Sequence, residues 1–381
     1  MRVAYFTNHY IPQVSGITTS VVTFRQEIEK RGHEVFVFTP RFKGYEYNDP
    51  RVITYPSIQT NFKTDFPVAI FPSVHVIKEM RRIKPDVLHA HNSLWLWLGG
   101  EALRFSWTMK KPLVYTAHSC YEHYAHYAPF LPQWMTSAIL LKEEVRYCNF
   151  SRAVVAPTES MKQNLLGRGV KTPVHVISSG VEPAMFAGID REEARKKLEI
   201  SSDEILLMFL GRMAQEKNID LIIKILPRLF EKYSQVKMIG VGEGTERAKL
   251  EALNGKYPGR VITTGEIPHS EVPRHYVAAD IFLQPSLSET QGITTLEAMA
   301  AGTAVVAVRA QGAQDLVEDG VSGFLVPAEE DAFFAAVDQL MSDRELLAKT
   351  CEHAKKKAGE LTVEKMTDKM LAVYEGCIKP A

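Results

Sequence analysis

The 381-residue sequence predicts an α/β protein made of two doubly wound parallel units, and three observations carry that reading. Short apolar runs, mostly rich in β-branched residues, alternate with helix-like stretches along the chain, the pattern of parallel strands buried on both faces. The alternation stops and starts again near the middle, so it describes two units. The length is also more than one ordinary core serves; two domains of about 150–200 residues are expected.

The first unit opens on the apolar run Val3–Phe6, then a loop with Pro12 and Gly16, then a helix-like stretch to Lys30 that Arg31-Gly32-His33 closes. Glu34–Thr39 reads as the next strand, with Val35-Phe36-Val37-Phe38 at its centre. Val52–Tyr55, Val87–His89, Val114–Ala117 and Ala153–Ala156 follow as strands. The joint falls near Val174–Val181, which gives a first domain over 1–178 and a second over 179–359. The second unit runs through the strand Ile205–Leu210, a loop, the helix Ile219–Lys232, and the strands Val236–Ile239, Val261–Thr264, Ile281–Gln284 and Ala304–Val308. A last helix, about Val363–Ile378, is amphipathic and fits either domain. No internal repeat or low-complexity segment interrupts this order. Two such Rossmann-like units leave a cleft at the carboxyl ends of their strands, where ligands of these folds bind.

Hydrophobic residues are 45% and charged residues 24% of the chain, a composition that folds. Lys+Arg 45 balance Asp+Glu 45, which argues against a bulk nucleic-acid binder. The balance hides an asymmetry: residues 1–170 hold 20 basic and 13 acidic side chains, and the remainder is acidic by the same margin. A basic first half can face an anionic surface or substrate. Cys120, Cys148, Cys351 and Cys377 form no CxxC and no zinc spacing, and read as the reduced thiols of a cytoplasmic protein. The apolar stretch at the N-terminus is too short for a signal peptide. The two long windows without charge, Val3–Phe24 and His123–Leu141, carry too many polar residues and prolines to span a bilayer.

Three loops carry chemistry. Thr7–Ile17 follows the first strand, and Gly16 is placed where loop becomes helix; it serves either turn geometry or a phosphate received on free N–H groups. No GxGxxG accompanies it, so a nicotinamide cofactor has little support. Gly211-Arg212-Met213-Ala214-Gln215-Glu216-Lys217 follows the strand that opens the second unit, and an Arg fork beside a mobile Lys suits a diphosphate. Ser286–Gly302 follows another strand: Glu289 lies in the loop, Gly292-Ile293-Thr294 opens the next helix, and Glu297 lies inside it among apolar residues. Unpaired burial of that carboxylate is costly, so it requires a partner, for which a ligand hydroxyl is one candidate. No Asp-x-Asp occurs anywhere in the chain to hold a metal.

The combination Gly211-Arg212-x4-Lys217 with Glu289-x7-Glu297 resembles the retaining GT-B glycosyltransferases of the large bacterial group 1 family. Thr7–Gly16 and Tyr115-Thr116-Ala117-His118 resemble the N-terminal domain of that family in order and spacing, so the resemblance covers essentially the whole chain. It implies a GT-B fold, a nucleotide-sugar donor, no metal and no covalent cofactor, retention of anomeric configuration, and a C-terminal helix, about 360–381, that packs back on the first domain. Carried over residue by residue, it implies that Arg212 and Lys217 hold the donor diphosphate and that Gly16 gives it a backbone N–H. Glu289 holds the transferred sugar with the backbone of Gln291, Gly292 and Ile293, Glu297 takes the ribose hydroxyls, Ile267 contacts the base, and His118 lies beside the reacting carbon. A front-face reaction, in which the leaving phosphate oxygen takes the acceptor proton, explains why no separate base is evident. The sequence leaves a double displacement through Glu289 open.

The acceptor belongs to the first domain. The opening Gly16–Val22 and the aromatic run Ser119–Tyr127 resemble the diacylglycerol glucosyltransferase branch. Phe62–Pro72 is largely apolar and leads into a helix with Lys78, Arg81, Arg82 and Lys84, which either lies on an anionic leaflet or packs Val74, Ile77 and Met80 inward with its cations solvated. Leu94–Leu98 reads as buried core. The best reading is transfer of glucose from UDP-glucose to 1,2-diacylglycerol by a cytoplasmic protein peripheral at the inner face of the cell membrane. The alternatives are a GDP-mannose or other donor with a soluble or phospholipid acceptor, a sugar-nucleotide epimerase, and a non-catalytic sugar-nucleotide binder.

Overall fold

In a computed structural model of the chain, which describes residues 1–13, 15–58, 67–92, 98–118, 133–287 and 289–379, strands β1 (Arg2–Phe6), β2 (Glu34–Pro40), β3 (Val52–Tyr55), β4 (Ser57–Ile58), β5 (Val68–Ala69), β6 (Val87–Ala90), β7 (Leu113–Thr116), β8 (Ala153–Ala156) and β9 (Val174–Val176) form the first unit. Seven of them make a parallel sheet in the order β3-β2-β1-β6-β7-β8-β9, and β4 with β5 is a small antiparallel hairpin. The second unit holds β10 (Ile205–Leu210), β11 (Val236–Val241), β12 (Val261–Gly265), β13 (Ile281–Gln284), β14 (Ala304–Val308) and β15 (Phe324–Val326), ordered β12-β11-β10-β13-β14-β15 and parallel throughout. The chain divides after Ser179, and from Val363 it returns to the first unit.

Alternation along β10 shows why its run is apolar without a polar face. Leu206 and Met208 enter one core of the second unit, and Leu207 and Phe209 enter the other, across the sheet. The helix Ile219–Lys232 covers one of those faces with Ile219, Ile222, Ile225, Leu226 and Leu229, a spacing of three and four. Its Pro227 is tolerated within this packed helix.

The helix Val363–Ile378 is integrated into the first unit through one face: Met366, Met370 and Tyr374 are buried. The Tyr374 hydroxyl lies 2.6 Å from His89 Nδ1 on β6 and 3.3 Å from the Tyr5 hydroxyl on β1. At its rim Arg31 binds the Asp368 carboxylate at 2.5 Å and donates to the Glu364 carbonyl.

The helix Val74–Ile83 departs from its expected packing. Its inward stripe is Val76, Met80 and Ile83, capped at Ser73, whereas Val74 is 69% exposed and Ile77 is half-buried. The stripe follows a spacing of four and three from Val76, and Val74, the first helical residue after the Ser73 N-cap, lies outside it. Lys78, Arg81, Arg82 and Lys84 are exposed, and Arg82 is paired with Glu79 at 2.6 Å. Residues 62–66 of the apolar stretch, 94–97 of the tryptophan run and the aromatic run at 119–127 lie outside the described residues; Leu98 is buried at the head of the helix Leu98–Met109.

Candidate active site

All strands of the second sheet run the same way, so every loop after a strand leaves from one edge. The strand order reverses between β10 and β13, and at such a switch point neighbouring loops part and leave room for a ligand. Arg212 and Lys217 follow β10, and Glu289 follows β13; Leu207 pairs with Ile281 and Met208 with Phe282. This pairing brings the two loops together across 72 residues of sequence: Lys217 Nζ lies 2.5 Å from Glu289 Oε1, and both are largely buried. Arg212 is half-exposed and paired with Glu216 at 2.6 Å. Asn218, at φ 54, ends the turn that carries Lys217, and its side-chain amide donates to the Pro285 carbonyl at 3.2 Å. The loop after β10 thus presents two cations, Arg212 and Lys217, each paired with a carboxylate.

Gln291 is buried, Gly292 adopts φ 70 as the N-cap, and the helix Ile293–Ala301 starts immediately after it without a side-chain cap. Its first N–H groups are therefore not taken by a capping side chain. Glu297 is buried one turn on, and its partner is a protein group: the Tyr276 hydroxyl donates to Glu297 Oε2 at 3.0 Å. The carboxylate thus has a hydrogen-bond partner without a ligand, where the sequence alone left a ligand hydroxyl as one candidate. Burial pushes the Glu297 carboxyl up to about 7, against the opposing effect of the Tyr276 hydrogen bond. A ligand hydroxyl donated to Glu297 favours the ionised form, so ligand binding and its ionisation are linked. Ile267 follows β12 on the same edge, partly buried against the core.

In the first unit the order reverses between β1 and β6. The Asn8 N–H donates to Asn92 Oδ1 at 2.9 Å and so ties the loops after those two strands. Gly16 is the first residue of the helix Gly16–Lys30, where Ser15 accepts from the Thr18 N–H and leaves the Gly16 N–H outside its cap. His118 follows β7; its Nε2 lies 2.9 Å from His91 Nδ1. Burial, and then the charge of nearby His9, push His118 down to about 3, so its ring is neutral at physiological pH.

The sequence reading passed over several groups that build these sites. The tandem His89-Ala90-His91 at the end of β6 was a local signal. Tyr276 gave none, because 21 residues separate it from Glu297. Gly242 and Gly244, after β11, support the loop that carries Arg212 and Lys217. The Gly211 N–H donates to the Val241 carbonyl, and the Met213 N–H donates to the Glu243 carbonyl at 2.7 Å. A Cβ on Gly242 falls 2.1 Å from the Gly211 carbonyl oxygen, and one on Gly244 falls 2.2 Å from that of Met213. Both glycines also hold positive φ. Among the described residues no group of three His, Cys, Asp or Glu side chains is arranged to hold a metal ion.

Gly242→Ala therefore moves the loop that carries Arg212 without touching any charge. The expected result is at least a tenfold loss of nucleotide affinity by titration calorimetry in a folded protein. Unchanged affinity would show that this contact does not position Arg212.

The profile described as Glycosyl transferases group 1 matches residues 190–357, and that of Glycosyltransferase Family 4 matches residues 14–184. The alpha-monoglucosyldiacylglycerol synthase of Streptococcus pneumoniae is 33% identical over 351 residues, 90% of this chain and 79% of the relative. The enzyme of the same name from Acholeplasma laidlawii is 30% identical, over 87% of this chain and 86% of its own. Among solved structures, sucrose-phosphate synthase from Thermosynechococcus elongatus superposes with a TM-score of 0.77 at 21% identity, over 98% of both chains. HepE of Anabaena, solved in complex with UDP-glucose, superposes at 0.74 and 19% identity, over 99% of this chain and 100% of that one. With its two parallel units and the loops at their switch points, this chain belongs to the group 1 glycosyltransferases of GT-B fold.

Proposed function

We propose that this glycosyltransferase moves glucose from UDP-glucose to a diacylglycerol-type lipid with retention of anomeric configuration, without a metal ion. The observation that carries the reading is the Lys217–Glu289 pair at the second switch point. Arg212 and Lys217 bind the diphosphate, and Lys217 exchanges its carboxylate partner for a phosphate oxygen. Glu289 is then released to accept hydrogen bonds from hydroxyls of the transferred sugar, beside the backbone of Gln291, Gly292 and Ile293. Glu297, oriented by Tyr276, takes the ribose hydroxyls; Ile267 serves the base; Gly16 gives an N–H to the diphosphate, and His118 serves the reacting carbon. The bond from the anomeric carbon to the diphosphate breaks as the acceptor oxygen bonds to the same face. The acceptor proton passes to the leaving phosphate oxygen, whose growing charge Arg212 and Lys217 stabilise. Glucose as the sugar and diacylglycerol as the acceptor rest on the two relatives of that activity, and UDP on the ligand of HepE.

The lipid acceptor draws support from the first unit. Ile58 and Ile70 are exposed, as is Val74 at the head of the basic helix Val74–Ile83, and Trp134 is 74% exposed at the start of the helix Gln133–Phe150. No described helix is long and apolar enough to cross a membrane. Apolar side chains beside Lys78, Arg81 and Lys84 fit a peripheral protein on an anionic leaflet, which here is the inner face of the cell membrane.

Incubation with UDP-glucose and diacylglycerol in mixed micelles containing EDTA is expected to yield an α-glucosyl lipid. Glu289→Gln is expected to abolish that product while binding UDP at least as tightly, since Lys217 loses its competing carboxylate. Full turnover by this variant would remove Glu289 from the site, and a strict divalent-ion requirement would overturn the diphosphate reading. Separately, Lys78→Gln with Arg81→Gln is expected to weaken binding to anionic liposomes about 10- to 30-fold at low salt, with UDP affinity unchanged. If the wild-type protein ignores such liposomes in co-sedimentation, the acceptor is a soluble one.

A further inference from the structure

His91 lies just past the end of β6, where its N–H donates to the Phe6 carbonyl at 2.9 Å. Its ring is 3% exposed. The ring edge of Tyr5 packs on it with centroids 4.9 Å apart, and the His89 ring lies at 4.3 Å. These ring contacts and the burial oppose rotation of the imidazole. Nδ1 is 2.9 Å from His118 Nε2, and Nε2 is buried with no hydrogen-bond partner among the described residues.

Burial, with the neighbouring imidazoles, drives His91 well below the ordinary range, and His118 is lowered to about 3, so both rings are neutral and one hydrogen lies between them. Two arrangements satisfy the contact. If His118 Nε2–H donates to His91 Nδ1, the one hydrogen of His91 sits on Nε2, a buried N–H with no acceptor among the described residues. If His91 Nδ1–H donates to His118 Nε2, the unpartnered atom of His91 is a bare lone pair. Orphaned buried donors are rarer in folded proteins than under-used acceptors, and the second arrangement is favoured. His89 follows the same rule: the Tyr374 hydroxyl donates to Tyr5, so His89 donates from Nδ1 to Tyr374 and its Nε2 accepts from the Thr116 hydroxyl at 2.7 Å.

We infer that His91 is a positioning residue: its Nδ1–H, aimed at His118 Nε2, fixes the ring and tautomer of His118 and leaves the His118 hydrogen on Nδ1 as a donor. What this donor does for turnover rests on the role proposed above for His118. The tautomer itself does not. A ring free to carry its hydrogen on either nitrogen presents a lone pair to a sugar oxygen part of the time, a repulsive contact. His91 removes that option before substrate arrives.

The test is a long-range 1H–15N correlation spectrum of the full chain labelled with 15N-histidine. In the wild-type protein His118 is expected to show a protonated Nδ1 and a bare Nε2. A hydrogen on His118 Nε2 would overturn the inference, and this readout needs no variant to fold. His91→Leu, folded as judged by its melting curve, is expected to give a mixed His118 tautomer and a kcat lowered about 10- to 100-fold at unchanged UDP affinity. His91→Asn, whose amide N–H falls near the Nδ1 position, is expected to restore the tautomer and most of kcat. If Leu in place of His91 leaves the His118 tautomer unmixed, positioning by His91 is refuted. If the tautomer shifts as expected and turnover does not change, the inference stands and the catalytic role of His118 falls.

Discussion

Parallel pairing of β10 with β13 is the constraint on which the rest of the second unit depends. The strands are joined out of sequence order, so the loops that follow them diverge from a shared edge. Everything charged at that edge is placed by this adjacency. Lys217 meets Glu289, Asn218 reaches the Pro285 carbonyl, and the helix that carries Glu297 starts beside the loop that carries Arg212. The cations are not left bare: Lys217 is held by Glu289, largely buried, and Arg212 pairs with Glu216 at the surface, so each positive charge has a neighbouring negative one. On the function proposed above, an entering diphosphate exchanges partners with groups that already have them, and such pre-organisation reduces the free energy spent on binding.

The first unit repeats the architecture with a different chemistry. Its reversal lies between β1 and β6, where Asn8 and Asn92 tie the two loops. It gathers neutral groups instead of ions: His89, His91, His118, Tyr5 and Tyr374 touch one another by hydrogen bonds and ring edges. Burial holds these imidazoles uncharged. The C-terminal helix belongs to this arrangement through Tyr374, which accounts for the return of the chain to the first unit at Val363.

The fold was legible because a strand buried on both faces must be apolar along its length, and few other segments are. Ile205–Leu210, Ile281–Gln284 and Ala304–Val308 stand in the sequence with the bounds they have in the structure. Charged site residues were legible for a related reason: Arg212 and Lys217 directly after one apolar run, and Glu289 directly after another, must lie at strand ends. What sequence could not show were the partners. Tyr276 is joined to Glu297 by the packing of the two helices that flank β13 in the chain, and Lys217 to Glu289 by strand order, and neither is written locally. The inward face of the helix Val74–Ile83 was misread through Val74, since Val74-Ile77-Met80 and Val76-Met80-Ile83 are both apolar rows at helical spacing and the structure buries the second. Gly242 was passed over, because the requirement there comes from a carbonyl 31 residues earlier in the chain, on Gly211.

If the switch point of the second unit is the nucleotide site, UDP must slow the exchange of the backbone amides there. Hydrogen–deuterium exchange of the whole chain, followed by mass spectrometry with and without UDP, reads this peptide by peptide. Protection is expected in peptides that cover 211–218, 265–268 and 289–297, with the distant helix Glu330–Ser342 unchanged. Binding of UDP with no protection in the first and third of those segments would contradict the account.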